Sequence, residues 1–416
     1  MVATDDSGER TRYRLLETVR QYALEKLGES GEADGVRARH RDHYTALAAL
    51  LEAPADSEYE QRIEQTNIEI DNLRAAFSWS RENSDLEQAL ALASSLQPLW
   101  QGRGRLREGL TWFDAALAGL DAHEPGVTPR VRARALADSA ALGLWAGAPE
   151  SSDQAEQALT VARGIDDPAV LVRALTARGY IAAYFDSEAA PTYLAEAIGL
   201  ARALGDRWRL SQILSVQAAA ATAAGNPLAM RAAADEGRDL ADAIGDRFAS
   251  RRCRWYLGIA QMFDGDLAGA VAQFSAVAAE AEAARDEIWR VDSLGFRGVA
   301  LAYRGDATAA RADADAAVEA TAELGGLKAC AAYRALAMAA FAAGDVGTAQ
   351  AAAEAAWPHA SAPLQTALQR ILSAQAALLG EDLIAARRWA DDAVSTATGV
   401  FLSEALTVRA RRDWTG

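Results

Sequence analysis

A series of mostly cationic side chains has the residue types and the spacing that could do chemistry in this chain. Each lies near the start of the predicted first helix of a repeat, or three residues after that position. The candidate site consists of Arg134, Arg173, Gln212, Arg252, Trp255, Arg334 and Arg370, and Asp292 occupies an equivalent position. Guanidinium groups on one concave surface could hold a carboxylate or phosphate through paired hydrogen bonds. The alternative, and the commoner role of such arginines, is a salt bridge to an acidic residue of a neighbouring repeat.

Other chemistry has little support in the sequence. His40 and His43 have a spacing that can hold a metal ion, but no further histidine or cysteine is near them. No Gly-x-x-x-x-Gly-Lys-Ser/Thr phosphate loop occurs, and no serine, histidine and aspartate pattern stands out. Cys253 and Cys330, the two cysteines, imply neither a disulfide framework nor a zinc site. We therefore predict a protein without catalytic residues, metal or cofactor.

The composition is that of an acidic protein. The formal net charge of -16 and a pI near 4.8 argue against binding nucleic acid through the overall field of this chain. No apolar run reaches the roughly 18 residues that a membrane span requires, and residues 1–14 lack the apolar stretch of a signal peptide. These features predict a cytoplasmic protein that does not enter membranes.

A glycine followed by a small polar residue recurs along the chain. It marks one series of turns at intervals of 36 to 40 residues, namely Gly225, Gly265, Gly305, Gly344 and Gly380. A second series of turns, which includes Gly205 and Gly245, lies between them. Two turns in each period predict two helices in each period, and hence an all-α, right-handed solenoid of antiparallel helix pairs.

The repeats resemble the tetratricopeptide repeat. The residues that carry the resemblance are Gly258 late in one helix, Gly265 and Asp266 at the turn, and Ala270 and Phe274 in the next helix. Glycine accepts the left-handed conformation that ends a helix, and an aspartate carboxylate caps the following one. The period exceeds the usual length of about 34 residues, which implies longer helices. We expect the first helices to line a concave surface, as the resemblance implies.

The turns predict where each helix pair begins and ends. The eight predicted pairs are 86–120, 129–164, 168–204, 207–244, 247–284, 287–324, 327–360 and 363–396. The predicted domains are a remnant of a winged-helix or post-ATPase segment at 1–56, linking helices and an irregular first pair at 57–128, repeats at 129–396 and the start of a further helix at 397–416. Helix is expected to exceed two-thirds of the chain. No sheet is expected, although Tyr13 and Arg14 could remain extended.

The amino-terminal segment carries a second resemblance. Residues 12–27, Arg39 and His40, His43 and Tyr44, and residues 71–79 resemble the stretch after the nucleotide-binding core in actinobacterial signal-transduction ATPases of the NB-ARC (STAND) type. Members of that family carry tetratricopeptide-like repeats, and many end in a LuxR-type helix-turn-helix. The resemblance implies a non-catalytic arm of a transcriptional regulator that senses an effector or binds a protein.

The absence of a phosphate loop indicates that this sequence covers only the helical arm of such a regulator. We expect a fragment or a truncated reading frame, and a short protein that works beside a separate ATPase is the alternative. The expected partner is a protein or peptide, or a small acidic effector. The apolar face of the first helix is a candidate for self-association. The alternative functions are a stand-alone tetratricopeptide scaffold and, more remotely, an enzyme or an RNA-binding repeat protein.

Overall fold

The computed structural model describes residues 2–5, 12–52, 58–118, 126–148, 150–324 and 326–413. The chain folds as an all-α solenoid of antiparallel helix pairs, which is the predicted fold class. Helices cover more than two-thirds of its residues, also as predicted.

The expectation that no sheet would form is wrong at the amino terminus. Strands β1 (Val2–Asp5) and β2 (Arg12–Leu15) pair in an antiparallel two-stranded sheet, in which Tyr13 lies opposite Thr4. Tyr13 and Arg14 are therefore extended, as the resemblance to a winged helix had suggested. Short segments with β-branched or aromatic residues can satisfy their backbone groups by pairing locally, and a periodicity of helices elsewhere does not exclude this.

Four α-helices precede the repeats within the described residues. They are α1 (Glu17–Ser30), α2 (Ala33–Ala49), α3 (Tyr59–Ile68) and α4 (Ile70–Glu82), and a short 3-10 helix (Leu50–Glu52) follows α2. No residue of α1 is buried, and Leu24 on this helix and Leu16 just before it are each 44% exposed. Helices α2 and α4 pack against each other and lead into the first repeat.

Eight helical hairpins and a further helix make up the rest of the solenoid in the described ranges. The first hairpin consists of α5 (Leu86–Ser95), α6 (Gln97–Gly102) and α7 (Leu106–Leu117). The others are α8 (Pro129–Ala146) with α9 (Ser151–Arg163), α10 (Pro168–Phe185) with α11 (Ala190–Leu204), α12 (Arg207–Ala223) with α13 (Pro227–Ile244), α14 (Arg247–Phe263) with α15 (Leu267–Ala283), α16 (Glu287–Tyr303) with α17 (Ala307–Leu324), α18 (Gly326–Ala343) with α19 (Val346–Ala356), and α20 (Pro363–Leu379) with α21 (Leu383–Val394). Helix α22 (Gly399–Asp413) follows, and a 3-10 helix (Trp357–His359) extends α19.

The first hairpin differs from its prediction. The pair predicted at 86–120 contains three helices rather than two, because α5 ends at Ser95 and α6 begins at Gln97. Pro98 explains the break, because proline has no backbone N–H and its ring clashes with the carbonyl four residues earlier. The other pairs begin and end within a few residues of the predicted positions.

Residues in the turns act as the repeat pattern predicts. Gly265 has a φ of 80°, in the left-handed region that ends a helix at low steric cost. The Asp266 carboxylate accepts a hydrogen bond of 2.9 Å from the backbone N–H of Gly269, so the predicted helix cap is confirmed. Gly258 also has its expected role, since a Cβ atom there would lie 2.7 Å from the Phe274 ring. Glycine thus lets the two helices of this pair approach closely.

The solenoid is strongly curved. We call the first helices α8, α10, α12, α14, α16, α18 and α20 the inner helices. Across the interior, α8 contacts α18 and α10 contacts α20, so inner helices five pairs apart meet. Within the part of the chain that the structure describes, no helix is both long enough and apolar enough to cross a membrane.

Candidate ligand site on the concave surface

A partly enclosed cavity of about 380 Å³ lies between the inner helices. Its lining residues come from α8, α10, α12, α14, α16, α18, α20 and α22, and from none of the outer helices. The first helices therefore line the concave surface, as the tetratricopeptide resemblance implied. The volume falls in the range of pockets that enclose small molecules.

Aromatic rings form much of the cavity wall. Three tryptophans meet there: the ring centroids of Trp145 and Trp289 are 5.7 Å apart, and those of Trp255 and Trp289 are 5.6 Å apart. Phe296 contacts Trp255 edge to face at 4.8 Å. Edge-to-face and tilted contacts of this kind fix the rings relative to one another.

A buried ion pair lies in the same wall. Lys328 on α18 donates a hydrogen bond to Asp292 on α16, and both residues are less than 10% exposed. The Lys328 ammonium group also lies 4.5 Å from the centroid of Trp145 and 5.2 Å from that of Trp289, so two aromatic rings stabilise it. Burial raises the pKa of Asp292, and the positive charge of Lys328 acts in the opposite direction. The cation of this pair is thus already balanced.

Arg334, on the same helix as Lys328, has a different environment. It is half-buried, and its guanidinium group donates a hydrogen bond to the Tyr303 hydroxyl. Tyr303, which is 47% exposed as a residue, in turn donates to Glu404 on α22 at 3.1 Å. Desolvation of its hydroxyl together with the negative charge of Glu404 raises the pKa of Tyr303 to about 12. Among the described residues, no carboxylate lies within 4.0 Å of the Arg334 guanidinium group. Arg334 is therefore a cavity cation without an ion-pair partner in that part of the chain.

Helix α22 covers one side of the cavity. Its Phe401 ring contacts Phe263 edge to face at 5.5 Å. At the beginning of α22, the Val400 N–H donates to the carbonyl of Gly225 in the turn between α12 and α13, at 3.4 Å. A Cβ atom on Gly225 would lie 2.7 to 2.9 Å from backbone atoms of residues 398–400. The absence of a side chain at Gly225 therefore lets the last helix dock against this turn.

The structure does not bring all residues of the predicted site together. Trp255 and Arg334 line the cavity, and Asp292 is the partner of Lys328 there. Arg370 lies outside the cavity lining and donates to the Thr396 hydroxyl at 3.0 Å. The other four lie further toward the amino terminus on α8, α10, α12 and α14, and they are Arg134, Arg173, Gln212 and Arg252.

These four residues make polar contacts with neighbouring repeats and with the segment before them. Arg173 donates to Asp138, which is 1% exposed, at 2.6 Å, and Arg134 pairs with Glu52. Arg252, 3% exposed, donates to the Gln212 side-chain oxygen at 2.9 Å. The salt bridges of Arg134 and Arg173 are thus the structural alternative weighed in the sequence analysis. Ligand binding by the seven-residue set as a whole stays a prediction.

The sequence analysis missed several residues of this region. It singled out neither Lys328 nor Arg209, which is buried and donates to Gln97 at 3.4 Å. One signal could have identified the pairs, because Asp138 and Arg173 are 35 residues apart and Asp292 and Lys328 are 36 apart. This spacing is about one helical turn shorter than the distance between the starts of adjacent inner helices, so each pair links positions about one turn apart on neighbouring inner helices.

Metal ligands are not clustered in the described ranges, where no group of three or more histidine, cysteine, aspartate or glutamate residues could hold an ion. His40 lies 3.4 Å from the Asn72 side-chain oxygen, and its ring contacts Tyr44. Both cysteines are buried and unpaired. The cavity is therefore the strongest candidate site in the described residues.

The fold and the site define a helical-repeat protein with a cavity on its concave surface. Several known proteins are similar to this chain. Over 417 residues, the chain is 52% identical to a protein of Mycobacterium tuberculosis that bears the name HTH-type transcriptional regulator. The match covers 99% of this chain and 47% of that protein, so the chain spans about half the length of the curated relatives it matches. No family model matches the chain.

Solved structures with the same kind of fold extend this comparison. A Rap protein, crystallised in complex with competence and sporulation factor, matches with a TM-score of 0.60 at 10% identity, over 92% of this chain and 100% of that one. A STAND protein with a tetratricopeptide repeat sensor from Pyrococcus horikoshii matches with a TM-score of 0.48 at 16% identity, over 83% and 55% of the two chains. The Rap match supports the helical-repeat fold and, at this identity, the fold alone.

Proposed function

We propose that this chain is the effector-sensing arm of a cytoplasmic transcriptional regulator, and that it catalyses no reaction. The observation that carries the proposal is the aromatic cavity, which every inner helix from α8 to α20 helps to line and which α22 covers. A ligand there would contact residues far apart in sequence and could therefore influence the curvature of the whole arm.

Two similarities support a role in regulation. The relative in Mycobacterium tuberculosis bears the name of a transcriptional regulator, and the match to it covers 99% of this chain. The amino-terminal resemblance described above extends the proposal to a regulator of the STAND type with an NB-ARC ATPase and a LuxR-type DNA-binding domain. The Rap protein offers a parallel, since it is a helical-repeat protein that was crystallised with a bound factor.

The geometry suggests how binding would be transmitted. The lining residues on α16, α18 and α20 face those on α22, and α22 also touches the turn at Gly225. A ligand that prefers one position of α22 shifts the population toward that position, by as much as its affinities for the two positions differ. Helix α22 would thus report whether the cavity is occupied.

Native mass spectrometry tests this proposal. The purified chain is incubated with a small-molecule extract and a peptide extract of the source cells, and the retained species are compared with those of an Ala331→Phe variant. Ala331 lines the cavity, so the larger side chain fills part of it. We expect the unaltered chain to retain a species that the variant does not, and the rate of hydrogen exchange in α22 to change when that species is bound. Equal retention by the two proteins, or none by either, would contradict the proposal.

A further inference from the structure

We infer that the cavity takes a small aromatic carboxylate, whose ring lies among the tryptophans and whose carboxylate pairs with Arg334. This inference rests on the proposed function, because it names the chemical class of the effector. It follows from the charge balance of the cavity wall and from the shape and composition of that wall.

The charge balance selects Arg334 as the anchor. Of the two cations in the lining, Lys328 is paired with Asp292 and lies over two tryptophan rings. Arg334 has only a neutral hydroxyl, that of Tyr303, as a described side-chain partner. Guanidinium groups bind carboxylates through two parallel hydrogen bonds, and these are stronger where water is largely excluded. A carboxylate at Arg334 would supply the direct ion-pair partner that the described residues do not.

The tryptophans of the cavity wall indicate that the ligand carries an aromatic ring. Trp145, Trp255 and Trp289 are each less than 10% exposed, and their contacts with one another hold the rings at fixed angles. A flat aromatic ring can stack on such faces or meet their edges, and such contacts are favourable beyond the area that they bury. A cavity of about 380 Å³ suits a small molecule of this kind.

Glu404 connects the ligand to α22. Its carboxylate accepts from Tyr303 at 3.1 Å, and Tyr303 is also the partner of Arg334. A ligand carboxylate that binds Arg334 would carry negative charge close to Glu404. Like charges at short distance repel each other, so the ligand would favour a position of α22 in which Glu404 is further away.

Calorimetric titration with two matched probes tests the inference. The probes are 2-naphthoate and its neutral counterpart 2-naphthamide, which share a ring system and differ in charge. We expect 2-naphthoate to bind at least about tenfold more tightly than 2-naphthamide. In an Arg334→Gln variant, the affinity for 2-naphthoate should fall by about 10- to 100-fold, while that for 2-naphthamide should be unchanged.

Two further variants make the test specific. Arg334→Lys keeps the charge but loses the bidentate geometry of the guanidinium group. Its affinity for 2-naphthoate should therefore lie between those of the unaltered chain and Arg334→Gln. Arg290→Gln is the matched control, since Arg290 is also on an inner helix but outside the cavity lining, where it pairs with Glu287, and it should bind both probes normally. The melting temperature of each variant shows whether it is folded.

The outcomes separate this inference from the proposed function. Equal affinity for the two probes, or the same affinity in the unaltered chain and Arg334→Gln, would overturn the assignment of a carboxylate. Failure of both probes to bind would also overturn it. If the cavity nevertheless retained a species from the extracts, the proposed function would stand, whereas the retention of none would end both.

Discussion

The two halves of the concave surface use the same residue type in opposite ways. In the amino-terminal half, Arg173 on α10 pairs with the buried carboxylate of Asp138 on α8. In the carboxy-terminal half, Arg334 on α18 faces an aromatic cavity and has no described carboxylate within ion-pair distance. The difference shows that a position on an inner helix does not decide the role of an arginine. The acidic residue one repeat away does.

Ion pairs between neighbouring repeats recur along the inner helices. Arg251 and Asp286 are both nearly fully buried and are joined by a contact of 2.7 Å, and Lys328 and Asp292 are a later example. Where such a pair forms, the two helices are tied together and the charge is balanced. Where it is absent, as at Arg334, the cation is available to a ligand.

Removal of the carboxylate in the amino-terminal half should have the largest effect. In an Asp138→Ala variant, Arg173 loses its ion-pair partner, and Arg134, whose Nε lies 4.0 Å from Asp138, loses a second one. Breaking a buried pair in this way leaves an uncompensated charge, so the free energy of unfolding should fall by about 3–5 kcal/mol. Urea titration followed by circular dichroism measures the change.

The comparison requires that this loss be specific to the paired half. An Arg334→Gln variant measured in the same titration supplies the contrast, as described below. If Asp138→Ala cost less than about 1 kcal/mol, the amino-terminal pairs would not be structural, and the distinction between the two halves would fail.

The repeats were predictable from local sequence, and the difference between the two halves was not. Gly265 and Asp266 act within one turn of the chain, so their roles followed from the residue types alone. Trp255 and Arg334 could be placed on the concave surface from their positions in the repeat. The docking of α22 at Gly225 could not be predicted, because it depends on many small rotations between successive repeats.

Opening the contact between α22 and the α12–α13 turn should have the next largest effect. In a Gly225→Ala variant, the new Cβ atom would clash with backbone atoms of residues 398–400. We expect the free energy of unfolding to fall by about 1–3 kcal/mol and amide exchange in α22 to become faster, as hydrogen-exchange mass spectrometry would show.

Gly265→Ala is the matched control for this closure. Gly265 also has a positive φ, but a Cβ atom there would meet nothing within 4 Å. Both variants carry the backbone strain of alanine in the left-handed region, so only the difference between them reports the contact with α22. The same exchange rate in α22 for both variants would mean that the contact does not hold this helix in place.

Removal of the cavity cation should barely change stability. Arg334 is half-buried and has no described ion-pair partner, so Arg334→Gln should lower the free energy of unfolding by less than about 1 kcal/mol. The same urea titration as for Asp138→Ala provides the measurement. A loss as large as that of Asp138→Ala would make Arg334 a structural residue and would remove the contrast between the two halves.

The alkylation rates of the two cysteines offer the last test of the comparison, because they are measured on the unaltered chain. Cys330 lines the cavity and its pKa is raised to about 11, chiefly by burial, while burial raises the pKa of Cys253, outside the cavity lining, to about 12. At pH 8 both thiols should therefore react slowly with iodoacetamide, since the thiolate is the reactive form.

Saturating 2-naphthoate should slow the alkylation of Cys330 further and leave that of Cys253 unchanged. Peptide mass spectrometry measures the rate at each cysteine. Equal protection of both cysteines would indicate a general stabilisation of the solenoid, and protection of neither would place the probe outside the cavity.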